Sequence, residues 1–287
     1  MWIGAGFAPV AQGYAGEIVT SHFTAASLKR EWAYNIYLPT GYAENTRHYP
    51  VIYLLHGVAD DAASWVNKGG IDVVADELIA SGQMRAAILV MPVAGRSWYV
   101  NGPERMEAAF IGDLLPEIDR IYRTRPDRAD RMIAGVSMGG YGAMRLALRY
   151  PDRFSAVALM SPAIYSPDPP VNSAARNAPP FQIGGVFDSA RWEAMNYPAL
   201  LDDFIRSGYR MRVQLTAGLQ DRLETGPAAE RFAAALRARG VGADIRMFPG
   251  GHDFALWRNT LPLALRFLSG PSRMLTAIAG RAPGPQR

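Results

Sequence analysis

Two patterns of apolar residues alternate along this chain, and their alternation predicts an α/β fold. Short, continuous apolar runs are typical of strands that are buried on both faces of a sheet. They occur at residues 51–55, 86–91, 131–135, 156–160, 211–216 and 244–248. Apolar residues at helical spacing occupy the segments 71–81, 106–122, 139–150, 227–239 and 254–268. Strands that alternate with helices predict a mostly parallel central sheet with helices on both faces.

Two regions depart from this alternation. Glu17–Phe23 and Trp32–Leu38 are expected to be extended and to form an antiparallel N-terminal edge of the sheet. Residues 162–197 contain six prolines between Pro162 and Pro180, and they break the rhythm of strands and helices. This segment predicts an irregular excursion over the edge of the sheet.

We expect a single domain over residues 17–269, followed by a flexible tail at 270–287. Residues 1–16 are apolar and rich in small side chains but have no basic start, so they are interpreted as a remnant signal or a disordered leader. Cytoplasmic and exported locations therefore both stay open. No apolar run reaches the roughly 18 residues that a membrane helix needs, so stable membrane insertion is not expected.

Composition argues against several functions. Hydrophobic residues make up 49% of the chain and charged residues 20%, as in folded globular proteins. The net charge of +4 comes almost wholly from arginine, and the most basic stretch, 120–131, is interleaved with aspartates and has no series of aromatics, so we expect no nucleic-acid partner. The absence of cysteine excludes disulfides, thiolate metal sites and cysteine nucleophiles. No metal-spaced cluster of histidines and acids occurs, so we expect no metal and no cofactor.

The pentapeptide Gly135-Val136-Ser137-Met138-Gly139 is the strongest chemical signal in the chain. It lies between an apolar run and a helical segment, where a serine at the tip of a sharp turn needs neighbours without bulk. Such a turn lifts the Ser137 hydroxyl clear of the sheet. It also aims the Met138 amide at the position where an oxyanion would form. The sequence therefore predicts a nucleophile elbow with Ser137 as the nucleophile.

A serine nucleophile needs a base and a carboxylate that orients the base. After such an elbow, the acid and then the histidine follow along the chain. His252 is the only histidine downstream, and it lies between a predicted strand and a predicted helix. Asp221 follows another predicted strand and is the expected acid, with Glu224 and Asp253 as rivals. The predicted catalytic residues are thus Ser137, Asp221 and His252.

The oxyanion hole needs a second backbone amide, and the loop after the strand at 51–55 is expected to supply it. We assign the hole to the amides of Val58 and Met138, with Gly57 as the fallback donor. His56 is expected to shape this loop through hydrogen bonds and not to act as the base. His22 and His48 are interpreted as structural or surface residues, because they lie in N-terminal segments far from the predicted strand ends.

Four motifs together resemble the esterase family that includes S-formylglutathione hydrolases, feruloyl and acetyl-xylan esterases and mycolyltransferases. The match covers about residues 30–268. The motifs are Tyr53-Leu54-Leu55-His56-Gly57 with Trp65 downstream, Ser97-Trp98-Tyr99, Ser137-Met138-Gly139-Gly140, and Gly251-His252-Asp253-Phe254 followed by Trp257-Arg258. The resemblance implies the α/β-hydrolase fold and the same triad. It also implies that the Trp98-Tyr99 loop lines the acyl or alcohol side of a cleft, and we expect Trp65 and Trp257 to contact substrate as well.

At several motif positions this chain differs from two branches of the family, and these differences narrow the choice of branch. Val136 stands where formylglutathione hydrolases usually carry a histidine, before the nucleophile. Mycolyltransferases usually have glutamate as the acid and aspartate before the first oxyanion glycine, where this chain has Asp221 and His56. The carbohydrate-esterase branch fits best.

The expected function is that of a serine carboxylesterase that works through an acyl-enzyme, with sugar-linked acetyl or feruloyl esters as candidate substrates. The expected partner is a small-molecule or saccharide-linked ester. An acyltransferase of the mycolyltransferase type and a catalytically silent binding protein with a hydrolase fold are the alternatives. The acyl and alcohol specificity and the oligomeric state stay open.

Overall fold

A computed structural model of the protein describes residues 15–270. The predicted tail therefore lies outside the described residues except for Gly270, and the predicted leader does so except for its last two positions. The strands, in chain order, are β1 (Glu17–Ala25), β2 (Arg30–Leu38), β3 (Val51–Leu55), β4 (Ile88–Pro92), β5 (Arg131–Val136), β6 (Ala156–Met160), β7 (Gln182–Ile183), β8 (Val186–Phe187), β9 (Arg212–Gly218) and β10 (Ala243–Phe248).

Eight of these strands form one sheet in the order β1-β2-β4-β3-β5-β6-β9-β10. Neighbours from β4 to β10 pair in parallel, whereas β1 with β2 and β2 with β4 pair antiparallel. The predicted mostly parallel sheet with an antiparallel N-terminal edge is therefore confirmed. Because the carboxyl ends of parallel strands share one edge, the loops after β3, β5, β9 and β10 converge there.

Helices cover both faces of the sheet, and each face has its own apolar core. The helices, in chain order, are α1 (Ser64–Asn67), α2 (Ile71–Ala80), α3 (Met106–Ala109), α4 (Leu115–Ile121), α5 (Met138–Arg149), α6 (Ser189–Met195), α7 (Tyr197–Arg206), α8 (Thr225–Arg237) and α9 (Phe254–Ser269). A π-helical turn, Phe110–Leu114, joins α3 to α4. Helices α2 and α9 contribute to one core, and α4, α5, α7 and α8 contribute to the other. No helix of the described residues is long and apolar enough to cross a membrane.

Most predicted elements correspond to observed ones, although the short elements α1, β7 and β8 were not predicted and the π-helical turn divides the helix predicted at 106–122. Helix α8 begins at Thr225 and not at Pro227, and α6 and α7 were not predicted. The signals for α7 are local, because the Asn196 side chain accepts a hydrogen bond from the Tyr197 amide at the N-cap and a proline follows in the first turn. The prolines of the preceding segment predicted irregular structure, so these local helix signals were not recognised.

The excursion at 162–197 contains the β7-β8 hairpin, two short 3-10 helices and α6. Phe181 and Trp192 from this segment pack against Trp98 and Tyr141, with ring centroids 5.2–6.1 Å apart. Aromatic pairs at these distances add stability beyond the area they bury. The excursion is thereby joined to α5 and to the loop after β4.

Candidate active site

Ser137 lies in the one-residue turn between β5 and α5 with φ of 56° and ψ of −117°. A positive φ is unfavourable for a residue with a β-carbon, so the surrounding structure must hold it. The Ser137 amide donates to the Met160 carbonyl (3.0 Å), and the Ser137 carbonyl accepts from the Ala163 amide (3.1 Å). The strained turn is thus tied to the end of β6, and the sequence-predicted elbow geometry is present.

The two glycines of the pentapeptide permit close backbone approach. A β-carbon at Gly139 would overlap the carbonyl oxygen of Leu55, and one at Gly135 would overlap the carbonyl oxygen of Gly139. Neither position has room for a methyl group unless the backbone moves. The glycines therefore let α5 begin directly against β3 and β5.

We expect Gly135→Ala to lower the free energy of unfolding by about 3 kcal/mol, because the added methyl group meets backbone that cannot rotate away. Urea unfolding measures the change. Gly112→Ala is the matched control, since a β-carbon at Gly112 meets no atom within 4 Å. That control is expected to be neutral or slightly stabilising. Similar losses in both variants would contradict this account of the elbow.

The structure brings Ser137, His252 and Asp221 together in a hydrogen-bonded chain. His252 Nε2 lies 2.8 Å from Ser137 Oγ, and His252 Nδ1 lies 2.7 Å from Asp221 Oδ2. An ionised carboxylate only accepts, so Nδ1 carries the proton and Nε2 is free to accept from the serine hydroxyl. This arrangement can remove the Ser137 proton as the oxygen attacks.

Two neighbouring loops hold the acid and the histidine in register. Asp221 follows β9 and His252 follows β10, and these strands are paired in parallel. The Gln220 amide donates to the Gly250 carbonyl (3.0 Å), and the Gly250 amide donates to Gln220 Oε1 (2.7 Å). These hydrogen bonds hold the two loops together. They thereby fix the Asp221 side chain within hydrogen-bonding distance of His252.

The Asp221 carboxylate is almost fully enclosed, with 1% of its side chain exposed. Burial alone would raise the pKa of Asp221. Hydrogen bonds from His252, from Thr225 Oγ1 and from the Leu223 amide outweigh that effect, so the pKa lies below its ordinary value. The Asp221 carboxylate is therefore ionised in the folded protein at neutral pH.

The low pKa of Asp221 predicts a pH-dependent contribution to stability. The folded pKa lies below the unfolded one, so the contribution is complete above about pH 4 and is lost as the pH falls through the folded pKa. We expect the gap in free energy of unfolding between wild type and Asp221→Asn to shrink from about pH 6 to about pH 3. Urea unfolding at each pH measures it, and a constant gap would contradict the expectation.

The amides expected to form the oxyanion hole lie on two sides of Ser137. Gly57 and Val58 line the same cavity as Ser137, and a β-carbon at Gly57 would lie 3.6 Å from Ser137 Cβ. Met138 opens α5, so its amide has no partner within the helix, while its side chain is buried in the core. No hydrogen bond joins the Val58 or Met138 amide to another described residue. Both amides are available to an oxyanion.

His56 is buried and forms hydrogen bonds that shape the first oxyanion loop. The Ala94 amide donates to His56 Nε2 (2.9 Å), so Nδ1 carries the proton and donates to the Gly57 carbonyl (2.8 Å). Burial lowers the pKa of His56, which favours this neutral form. The Tyr99 hydroxyl donates to the His56 carbonyl (3.2 Å). His56 and Tyr99, which are both buried, thus hold the first oxyanion loop in place through hydrogen bonds to its backbone.

The cavity over Ser137 has a volume of about 400 Å³. Of the four aromatic residues expected to contact substrate, Trp98 and Trp257 line it. Trp65 and Tyr99 are not among its wall residues. Trp65 packs edge-on against Phe254, and the Tyr99 ring lies against the position of Gly142. The expectation that these two contact substrate is corrected: both support the site from the core.

The side chains of the remaining candidate acids and histidines make no hydrogen bond to the chain of three. The Asp253 side chain caps α9 by accepting from the Leu256 amide (3.1 Å). Glu224 adopts a left-handed conformation directly before α8 and makes no side-chain cap. His22 is exposed on β1, and His48 bonds the carbonyl of Thr124.

Sequence reasoning missed several residues around the site. Thr225 bonds the acid, and Ser161 accepts a hydrogen bond from Trp257 Nε1 (3.1 Å) while the Trp257 ring packs edge-on against His252. Tyr165 and Lys68 line the cavity. Of these, only Lys68 stood out in the sequence, as one of two lysines. Thr225 lies only four residues after Asp221, but a single threonine carries no motif, and the contact of Ser161 with Trp257 joins distant parts of the chain.

The fold and this constellation define the protein as an α/β hydrolase with a serine-histidine-aspartate arrangement. The profile of the family described as "Putative esterase" matches residues 25–268. The chain belongs to this esterase family, and the resemblance drawn from the sequence motifs is confirmed.

Individual relatives agree with this assignment. The chain is 32% identical over 163 residues to an endo-1,4-beta-xylanase/feruloyl esterase of Xylanibacter ruminicola, which covers 53% of this chain and 22% of that protein. It is 29% identical over 249 residues to an esterase of Mycobacterium tuberculosis, with 77% and 52% covered. The chain thus spans about half or less of the length of these curated relatives. The solved structure of a ferulic acid esterase superimposes with a TM-score of 0.71 at 28% identity, covering 89% of this chain and 98% of that chain.

Proposed function

We propose that this protein is a serine carboxylesterase. The observation that carries the proposal is the hydrogen-bonded chain from Ser137 Oγ through His252 to Asp221, which opens onto a cavity of about 400 Å³. Membership of the esterase family supports the same reaction class. A cavity of this size accommodates a small acyl group together with part of its alcohol.

In the proposed reaction, Ser137 Oγ attacks the ester carbonyl while His252 Nε2 takes the hydroxyl proton. The carbonyl oxygen becomes an oxyanion, which the amides of Val58 and Met138 bind, with Gly57 as the alternative donor. His252 then returns the proton to the departing alcohol, and an acyl-enzyme is left on Ser137. Water, activated by the same histidine, attacks the acyl-enzyme and releases the acid.

We further propose acetyl or feruloyl esters of sugars as the substrates. Two relatives carry names that point to such esters: the feruloyl esterase of Xylanibacter ruminicola, and an acetyl esterase of Caldicellulosiruptor saccharolyticus that is 31% identical over 117 residues, or 39% of this chain and 41% of that protein. Trp98 and Trp257 in the cavity wall suit an aromatic or short acyl group equally. The acyl group therefore needs direct measurement.

A panel of esters tests the proposal. It should combine acetyl, butyryl, longer acyl and feruloyl groups with simple and sugar alcohols, and competing alcohols should be added to detect acyl transfer. A fluorophosphonate probe should label wild-type protein at Ser137 and leave Ser137→Ala unlabelled. Absence of both labelling and hydrolysis would favour a silent binding protein. Predominant transfer to the added alcohol would replace hydrolysis by acyl transfer.

A further inference from the structure

A second cavity, of about 500 Å³, lies beside the catalytic one, and we name it the outer cavity. The loop after β4 forms one wall, and residues of the excursion form the other. Its principal wall residues are Val93, Arg96, Val100, Pro103, Asn177 and Pro180. Among the apolar members, Val93 is half-buried and Pro103 is exposed, whereas Val100 and Pro180 are buried; the two polar members are exposed.

The outer cavity lies at the catalytic edge of the sheet. Val93 follows the carboxyl end of β4, which is parallel to β3 and adjacent to it. The loop that contains Arg96 also contains Trp98, whose side chain lines the catalytic cavity. One loop thus separates the two cavities. Ser97 lines the outer cavity and its neighbour Trp98 the catalytic one, so an ester bound at Ser137 would need to extend past this loop to reach the outer cavity.

The polar groups of the outer cavity are available to a ligand. Arg30 and Glu104, which also line it, neutralise each other through two hydrogen bonds of 2.7 and 2.9 Å. By contrast, the Arg96 guanidinium and the Asn177 amide make no hydrogen bond or ion pair with the part of the chain that the structure describes. Both side chains are planar and present several donors, and the amide also accepts.

We propose that the outer cavity binds the saccharide portion of the ester substrate. This inference rests on the proposed function, since it assumes an ester whose alcohol is a sugar. Sugar rings offer C–H faces that pack on accessible apolar residues such as Val93 and Pro103. Their hydroxyls pair with planar donors and acceptors such as Arg96 and Asn177. The cavity then acts on the alcohol side, while the acyl group stays beside Trp98 and Trp257.

Kinetics on two esters of the same acyl group test this assignment. The variant is the double substitution Arg96→Gln with Asn177→Ala, and the esters are 4-nitrophenyl acetate and acetylated xylotetraose. We expect kcat/KM for the saccharide ester to fall about tenfold, mainly through KM, as befits two lost hydrogen bonds. Activity on 4-nitrophenyl acetate should not change. Arg47→Gln, at an exposed position near the opposite edge of the sheet, is the matched control and should alter neither substrate.

A binding measurement separates this inference from the proposed function. Ser137→Ala protein should bind unesterified xylotetraose in calorimetry, and the added double substitution should weaken that binding about tenfold. Lack of hydrolysis by wild type with intact xylotetraose binding would reject the esterase proposal and keep the saccharide site. Equal kinetic losses on both esters, no loss on either, or xylotetraose binding that ignores the double substitution would overturn the saccharide site.

Discussion

Ser137→Ala is expected to lower kcat for a short 4-nitrophenyl ester by on the order of 10⁴ to 10⁶. The alanine side chain has no atom to form the acyl-enzyme, so only binding and the oxyanion amides can still assist attack by water. The loss is large because the three residues act as a unit, in which His252 has no proton to take once the hydroxyl is gone. Steady-state kinetics with a stopped assay at high enzyme concentration measure it.

The fold should survive this substitution. Ser137 supports the elbow with backbone hydrogen bonds, which alanine retains, and within residues 15–270 its side chain bonds only His252. Ser207→Ala, on an exposed helix end, is the matched control and should keep full activity. Near-normal turnover by Ser137→Ala with an unchanged unfolding midpoint would exclude Ser137 as the nucleophile.

Asp221→Asn should lower kcat by about 10⁴ while leaving KM within a few-fold of wild type. Asparagine matches the shape of the carboxylate but presents an amide to His252. The imidazole then loses the acceptor that keeps the proton on Nδ1, and the imidazolium that forms during catalysis loses its counter-charge. Full kinetics on 4-nitrophenyl acetate give both parameters.

Two rival acids provide the controls for this prediction. Asp253→Asn keeps an N-cap for α9, because asparagine caps as well as aspartate, and Glu224→Gln changes a residue whose side chain makes no cap. Both variants should retain turnover within about tenfold of wild type, since neither carboxylate bonds His252. A loss for Asp253→Asn as large as that for Asp221→Asn would move the triad acid to Asp253.

The alternation of apolar runs and helical segments was sufficient to predict most of the sheet. Strands such as β3 and β6 are buried on both faces, so every residue in them is apolar and the pattern is unambiguous. Helix α7 was missed although its face is apolar, because its proline-rich neighbourhood resembled a loop. Local patterns thus predicted helices and strands well, except where a neighbouring proline-rich segment predicted a loop instead.

For the candidate site, the sequence predicted the three hydrogen-bonded residues better than the aromatic residues of the cavity wall. The chain order of Ser137, Asp221 and His252 led to three side chains that the structure joins by hydrogen bonds. The aromatic residues had no comparable constraint. Trp65, in the short helix α1 that follows β3, and Trp98, in the loop after β4, both lie beyond strand ends, yet only Trp98 lines the cavity. Sequence indicates which loop carries an aromatic ring, whereas packing decides which way the ring faces.

The sequence by itself indicated the elbow, because glycines two residues before and two residues after Ser137 are the local signature of such a turn. It also determined most of the parallel sheet, since strands such as β3 and β6 are buried on both faces and are apolar throughout. Tertiary structure alone decided which distant groups come together: Trp257 with Ser161 through a hydrogen bond, and Arg96 with Asn177 in the walls of the outer cavity. Those meetings depend on how loops from separate strands pack, and no local pattern encodes that packing.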